Sequence, residues 1–178
     1  MPPASFFRRF RLEDAGSAPR EVDVLTEQIE EARYQRDKRA ELALRIRLGF
    51  LLIPLDIEAE AIEALTLALG LARATNAWMS ELEALLHLAT AYQYRGHRDR
   101  AQEFFREGLK RCADWGTNDF DDTFYHHLGR CFVEQGRRDE ARRAFENALR
   151  LREKTGDARR IASTRAALAE LDRLGDSA

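Results

Sequence analysis

The pattern of apolar and small residues in this chain returns every 40 residues, and this period constrains the fold more than any other feature. A leucine followed by glycine or alanine recurs in register, and larger apolar residues and an alanine follow it at fixed distances. A period of about 20–50 residues is the signature of a stacked array of one supersecondary unit. The aligned positions are Leu48-Gly49, Leu88-Ala89 and Leu128-Gly129, then Leu52, Tyr92 and Phe132, then Ala61, Ala101 and Ala141, and finally Leu65, Phe105 and Phe145.

Each unit predicts two helices separated by short turns. Within residues 82–121 the apolar residues follow a helical period in two stretches, and Gly96 interrupts the pattern between them. Asp99 is predicted to be the N-cap of the second helix, as Asp139 is in the next unit. A residue in the left-handed conformation is predicted to end each second helix, and the residues found there are Asn76, Gly116 and Gly156.

Small residues on facing sides predict a close approach of the two helices within a unit. The predicted pairs are Gly49 with Ala61, Ala89 with Ala101, and Gly129 with Ala141. Leucine and aromatic side chains would then fill the space to the next unit. The sequence therefore predicts an all-α solenoid of antiparallel helix pairs, with about eight helices.

The periodic units divide the chain into a tail, three repeats and two capping helices. The predicted segments are a tail (1–19), an N-terminal capping helix (20–41), a degenerate repeat 1 (42–81), repeat 2 (82–121), repeat 3 (122–161) and a C-terminal capping helix (162–178). Residues 35–37 are predicted to form a turn, although one continuous helix also fits the pattern. Pro54 is predicted to end the first helix of repeat 1, because proline cannot donate a backbone hydrogen bond.

The first residues of the chain do not join the periodic pattern. Residues 6–12 mix apolar and basic side chains, namely Phe6, Phe7, Phe10 and Leu12 with Arg8, Arg9 and Arg11. One interpretation is a tail that is disordered or packed on the first helices. The other is a recognition segment that docks on another chain or on a membrane surface.

Composition narrows the classes of partner and the compartment. The 178 residues carry a formal net charge of −2, which gives no general attraction to nucleic acid or to anionic membranes. Cys112 and Cys131 lack the spacing of a metal site and are predicted to be buried free thiols. No secretory signal follows the N-terminal arginines. These observations predict a cytoplasmic protein with neither nucleic acid nor membrane as its partner.

The sequence contains no recognisable catalytic motif. Glycine-rich phosphate loops, zinc-protease motifs and nucleophile elbows are all missing. His126 and His127 lie near several aspartates, but neighbouring residues on a helix point about 100° apart and cannot easily share one ion. The sequence therefore predicts a protein that is not an enzyme and that holds neither metal nor cofactor.

The third repeat carries a motif that resembles the tetratricopeptide repeat (TPR) family. Its residues are Leu128-Gly129, Phe132, Gly136, Ala141, Phe145 and Ala148-Leu149. The usual repeat of that family has about 34 residues, so the 40-residue unit here looks like the longer, kinesin-light-chain-like type. The resemblance implies a right-handed superhelix of helix pairs, and in bacteria this type often occurs in regulators and signalling scaffolds.

The resemblance also implies a concave groove lined by the first helix of each repeat. The residues predicted to bind a partner there are Ile46, Phe50, Glu83, Leu86, Thr90, Gln93, Tyr94, Thr123, His126, Arg130 and Glu134. The groove is predicted to be apolar towards the N-terminus and polar towards the C-terminus. Either the N-terminal residues of this chain or a peptide of another protein would cover its apolar end.

Three functions fit these observations. The first is a non-catalytic scaffold or adaptor that binds a peptide or helix of another protein in the groove. The second is a structural protein that self-associates into a homo-oligomer through its end helices. The third is a ligand-sensing regulatory module of a bacterial signalling system.

Overall fold

A computed structural model describes residues 18–176 of the chain, and all regular structure in this range is helical. The eight α-helices are α1 (Ala18–Tyr34), α2 (Lys38–Leu52), α3 (Glu58–Ala74), α4 (Trp78–Tyr94), α5 (Arg98–Trp115), α6 (Asp121–Glu134), α7 (Arg138–Thr155) and α8 (Ala158–Asp176). A short 3₁₀ turn, Ile53–Leu55, follows α2 and contains Pro54. The predicted all-α solenoid of about eight helices is confirmed.

The described residues fall into two compact units. The N-terminal unit comprises residues 18–104, and the C-terminal unit comprises residues 105–176. The border falls within α5. Helices α2, α4, α6 and α8 are the first helices of successive pairs, and we call them the A helices. Helices α1, α3, α5 and α7 are the B helices.

A residue in the left-handed conformation occupies every turn between consecutive helices. These residues lie 20 positions apart, with φ angles between 52° and 90°; they are Arg36, Asp56, Asn76, Gly96, Gly116, Gly136 and Gly156. The predicted helix ends at Asn76, Gly116 and Gly156 are confirmed. The turn predicted at residues 35–37 is also present, and the Asp37 carboxylate accepts hydrogen bonds from the first amides of α2.

The predicted aspartate N-caps are wrong. Helix α5 begins at Arg98 and α7 begins at Arg138, so Asp99 and Asp139 lie inside the first helical turn. The N-cap of α7 is Arg137, whose side chain makes no capping hydrogen bond. A carboxylate in the first turn still stabilises a helix, because it faces the positive end of the helix dipole.

Glycines allow close helix contacts, but against larger partners than the sequence predicted. A Cβ atom on Gly49 would lie 2.3 Å from the Leu65 side chain, and one on Gly129 would lie 2.6 Å from the Phe145 ring. The predicted partners Ala61 and Ala141 are fully buried one turn earlier on the B helices. Each glycine therefore receives a large side chain of the B helix as its nearest neighbour.

The two cores differ in composition. Leucines are the largest fully buried apolar side chains of the N-terminal unit; they are Leu25, Leu52, Leu65, Leu82, Leu85 and Leu88. In the C-terminal unit the largest are three phenylalanines, Phe105, Phe124 and Phe145. The rings of Phe105 and Phe124 meet edge to face, with centroids 6.4 Å apart.

Ala141→Leu should destabilise the protein by about 1–3 kcal/mol, because the site is fully buried and has no room for a larger side chain. Arg143→Ala on the exposed side of the same helix should change the stability by less than about 0.5 kcal/mol. Urea denaturation followed by circular dichroism measures both values. Equal losses for the two variants would show that the faces of α7 are wrongly assigned.

Candidate functional site

The A helices of the N-terminal unit present an exposed aromatic ring beside a histidine. Phe50 on α2 is 40% exposed, and its ring centroid lies 4.9 Å from that of His87 on α4. Burial lowers the pKa of His87 to about 4, so its imidazole is neutral at neutral pH. The two rings form an apolar surface that carries no charge of its own.

Glu83 adds a carboxylate to this face. It is exposed and lies one helical turn before His87 on α4, so the two side chains share one side of the helix. Desolvation by neighbouring side chains raises the pKa of Glu83 above its ordinary value. An exposed carboxylate that is already partly desolvated would be stabilised by a cation placed beside it.

The other predicted residues of the N-terminal unit are less accessible. Ile46, Leu86, Thr90 and Gln93 are buried, and Tyr94 is half-buried. The Thr90 hydroxyl donates a hydrogen bond of 2.8 Å to the Leu86 carbonyl oxygen one turn earlier. Phe50 and Glu83 are thus the predicted residues of this unit that offer the most surface, with Tyr94 next.

The predicted residues of the C-terminal unit all lie half-buried on α6. They are Thr123, His126, Arg130 and Glu134. Thr123 accepts a short hydrogen bond from the Arg160 guanidinium of α8. The His126 Nδ1 atom lies 3.2 Å from the Thr164 hydroxyl, also on α8. Two of the four residues are therefore tied to the last helix of the unit.

A buried polar network joins the three helices α6, α7 and α8. The Arg152 Nε atom donates to the Asp122 carboxylate at 2.7 Å, and both side chains are less than 10% exposed. A second guanidinium nitrogen of Arg152 donates to the Thr164 hydroxyl at 2.5 Å and to the Arg160 carbonyl oxygen at 3.0 Å. The Arg160 guanidinium completes the network with a 2.7 Å ion pair to Asp122.

The network holds His126 in its neutral form. Burial, together with the positive charges of Arg152, Arg130 and Arg160, lowers the pKa of His126 to about 3. A neutral imidazole can accept a hydrogen bond, and Nδ1 lies 3.3 Å from an Arg152 guanidinium nitrogen. His126 therefore acts as an uncharged member of an arginine-rich cluster.

The sequence analysis missed this network, although the repeat register contains a signal for it. Four positions that are apolar in the first two repeats become polar in the last part of the chain. Leu42 and Leu82 align with Asp122, Ile46 and Leu86 with His126, Ala72 and Cys112 with Arg152, and Leu44 and Ala84 with Thr164. Polar replacements at several core positions indicate a buried hydrogen-bonded cluster. A single buried polar side chain without hydrogen-bond partners would be unfavourable.

The other side chains that could react or bind a metal are the two cysteines and the histidine and acidic residues. Cys112 and Cys131 are buried free cysteines, as predicted. Burial, with a hydrogen bond to Asp121, raises the pKa of the Cys112 thiol to about 12, so it stays protonated. Over residues 18–176, His, Cys, Asp and Glu side chains form no group of three or more that could hold a metal ion. None of the helices in that range is long and apolar enough to cross a membrane.

Two of the helix pairs match models of a known protein family. Two family models described as tetratricopeptide repeat match the chain, one over residues 82–113 and the other over residues 123–155. The first match falls on α4 and α5, and the second on α6 and α7. A comparison with curated proteins returned no match.

Several solved structures share the fold. BtubC (BKLC) from P. vanneervenii is 22% identical with a TM-score of 0.75, over 87% of this chain and 65% of that protein. The TPR domain of Arabidopsis FLU is 19% identical with a TM-score of 0.64, over 66% of this chain and 98% of that domain. The putative kinesin light chain TPR-like repeats of Podosopora anserina are 21% identical with a TM-score of 0.67, over 90% of this chain and 85% of that one.

The likeness to these structures shows the fold alone, and the chain spans less than two thirds of BtubC. The family matches bear on the sequence itself, because they cover the two repeats with the most complete motif. Their bounds agree with the helix pairs of the structure. The 40-residue period, the antiparallel helix pairs and these matches together identify the helix pairs α4–α5 and α6–α7 as tetratricopeptide repeats.

Proposed function

We propose that this protein is a non-catalytic adaptor that binds a peptide or helix of a partner protein on the inner faces of its A helices. Tetratricopeptide repeats generally mediate interactions between proteins, and this general role is the starting point. The observation that carries the proposal is the exposed Phe50 ring on α2, which lies against the neutral His87 beside the Glu83 carboxylate. An aromatic ring next to a charge is typical of the residues that dominate protein interfaces.

The C-terminal unit supports the proposal with a different chemistry. Its A helix α6 carries Arg130 and Glu134 half-buried and one turn apart. Arginine is enriched at interface hot spots, because its planar guanidinium both stacks and donates several hydrogen bonds. This unit thus offers a partner a mixed polar face, whereas the N-terminal unit offers an aromatic and acidic one.

The chemistry of the buried groups supports the non-catalytic part of the proposal. His87 and His126 have pKa values of about 4 and 3, far below the neutral range that suits a general base. The raised pKa of Cys112 keeps its thiol protonated and poorly nucleophilic. These groups are protected from the roles that they would take in an active site.

Tyr94→Ala and Arg130→Ala should each weaken capture of the partner by more than about 1 kcal/mol, because truncation of such residues removes most of their contact surface. Helix content and melting temperature should stay nearly unchanged. The partner is first identified by a pull-down with mass spectrometry, and its affinity for each variant is then measured by titration.

Leu67→Ala provides a control for this titration, because Leu67 is exposed on the B helix α3. It should leave the affinity unchanged. Full binding by both the Tyr94 and the Arg130 variants would contradict the proposal, above all if substitutions of Ile161 or Leu168 on α8 removed it.

Self-association is the second candidate function, and the surface of α8 favours it. Ala169 is exposed on α8, whereas its repeat equivalents Gly49, Ala89 and Gly129 are buried. Ile161 is half-buried on the same helix. A second copy of the chain could cover this surface, and a measurement of molecular mass in solution distinguishes the monomer from the oligomer.

A further inference from the structure

The Phe50 patch, which we define as Phe50, His87 and Glu83, lies close to the point where the described chain begins. Ala18 opens α1 and packs in one apolar cluster with Leu25 and Leu51. Leu51 directly follows Phe50 in α2. Ala18, to which the preceding residues are joined, therefore lies near the C-terminal end of α2, where Phe50 is.

The chemistry of the preceding residues matches the patch. Residues 6–12 hold three phenylalanines and a leucine interleaved with three arginines. An exposed ring with a neutral histidine beside it suits aromatic side chains, and the Glu83 carboxylate suits an arginine. Arg47, one turn before Phe50 on α2, would repel arginines, but a 2.6 Å ion pair with Glu21 compensates its charge.

The tether is long enough for this contact and short enough to favour it. Ala18 lies eight positions after Phe10. An extended chain spans at most about 3.3–3.6 Å per residue, so Phe10 can reach roughly 26–29 Å from Ala18. Attachment through a short stretch of chain gives an effective concentration on the order of millimolar. Even a weak contact would thus be populated within one molecule.

We propose that residues 6–12 of the same chain bind the Phe50 patch. A partner that binds the N-terminal unit must then displace this segment, or bind beside it. The inference goes beyond the proposed function and does not depend on it, since the contact is made within one chain whether or not a partner exists.

Photo-crosslinking within the full chain tests the proposal directly. Phe7 is replaced by p-benzoylphenylalanine, the protein is irradiated at low concentration, and crosslinked peptides are mapped by mass spectrometry. We expect crosslinks within one chain to residues 46–50 of α2 and 83–87 of α4. Crosslinks to other helices, crosslinks between two chains, or none at all would overturn the proposal.

A titration in trans tests the chemistry of the contact. The acceptor is the full chain with Phe6, Phe7 and Phe10 replaced by alanine, and the probe is a labelled peptide of residues 1–17. Phe50→Ala in the acceptor should weaken binding of the probe at least roughly fivefold, as expected for loss of a central aromatic residue. Wild-type protein should bind the probe at least roughly tenfold more weakly than the acceptor, because its own segment competes at high effective concentration.

Matched substitutions separate the charge effect from a general loss of acidity. Glu83→Gln should weaken binding of the probe and make that binding less dependent on salt concentration. Glu63 is an exposed glutamate on α3, and Glu63→Gln should change neither property. Equal binding of the probe to wild type and to the acceptor would overturn the proposal. Loss of a pull-down partner in the Tyr94 or Arg130 variant, found together with that equal binding of the probe, would sustain the adaptor function while overturning this inference.

Discussion

Asp122→Leu should destabilise the protein by about 3–5 kcal/mol, because it leaves the buried Arg152 guanidinium without its carboxylate. Burial alone already lowers the pKa of Arg152, and the hydrogen bond to Asp122 opposes that effect. Without Asp122 nothing from that carboxylate offsets the burial of Arg152, so the charged form of its guanidinium becomes unfavourable. Urea denaturation monitored by circular dichroism measures the free energy of unfolding.

The double variant Asp122→Leu with Arg152→Ala should recover part of this loss. It restores the residues that the first repeat carries at the equivalent positions, Leu42 and Ala72. Replacing a buried ion pair by apolar residues is often close to neutral, so the two changes should be coupled by more than about 1 kcal/mol. Strict additivity of the two single variants would contradict a shared network.

An exposed ion pair of the same unit supplies the control. Arg142 on α7 pairs with Asp172 on α8, and their side chains are 44% and 56% exposed. Because water and salt screen such a pair, Asp172→Ala should cost less than about 1 kcal/mol. A loss as large as that of Asp122→Leu would mean that burial does not determine the strength of these contacts.

Gly129→Ala should destabilise the protein by about 3 kcal/mol, at the upper end of the range for overpacked cores. The added Cβ would lie 2.6 Å from the fully buried Phe145 ring, so the ring or the helix must move. Alanine favours the helix over glycine by only about 1 kcal/mol, and the overlap outweighs that gain. The measurement is again the free energy of unfolding in urea.

Gly70→Ala is the same substitution in an open environment. Gly70 is exposed within α3, and a Cβ there would have no neighbour within 4 Å. This variant should therefore stabilise the protein by up to about 1 kcal/mol through helix propensity alone. Effects of the same sign at Gly70 and Gly129 would contradict the close contact between α6 and α7.

The predicted groove residues illustrate what could and could not be read from the sequence. The repeat register identifies which residues lie on the A helices, because helical periodicity and the turn glycines fix the face of each residue. It does not determine burial within that face. Gln93 is almost fully buried whereas Phe50 remains 40% exposed, and only the packing of neighbouring helices decides between such outcomes.

The sequence by itself determined the fold class, the number of helices and the positions of the turns. These features depend on local signals that recur at a fixed period, such as the left-handed residues at 20-residue spacing. The same signal in each repeat therefore supports the same assignment of helices and turns. The tertiary structure alone decided which side chains meet across helices. The Phe145 ring is the nearest neighbour of Gly129, because side chains on the B helix lean towards its N-terminal end. The same holds for Asp122 and Arg152, which lie 30 residues apart in sequence. The register places both at positions that are apolar in earlier repeats, but only the packing of α6 on α7 decides that they pair with each other.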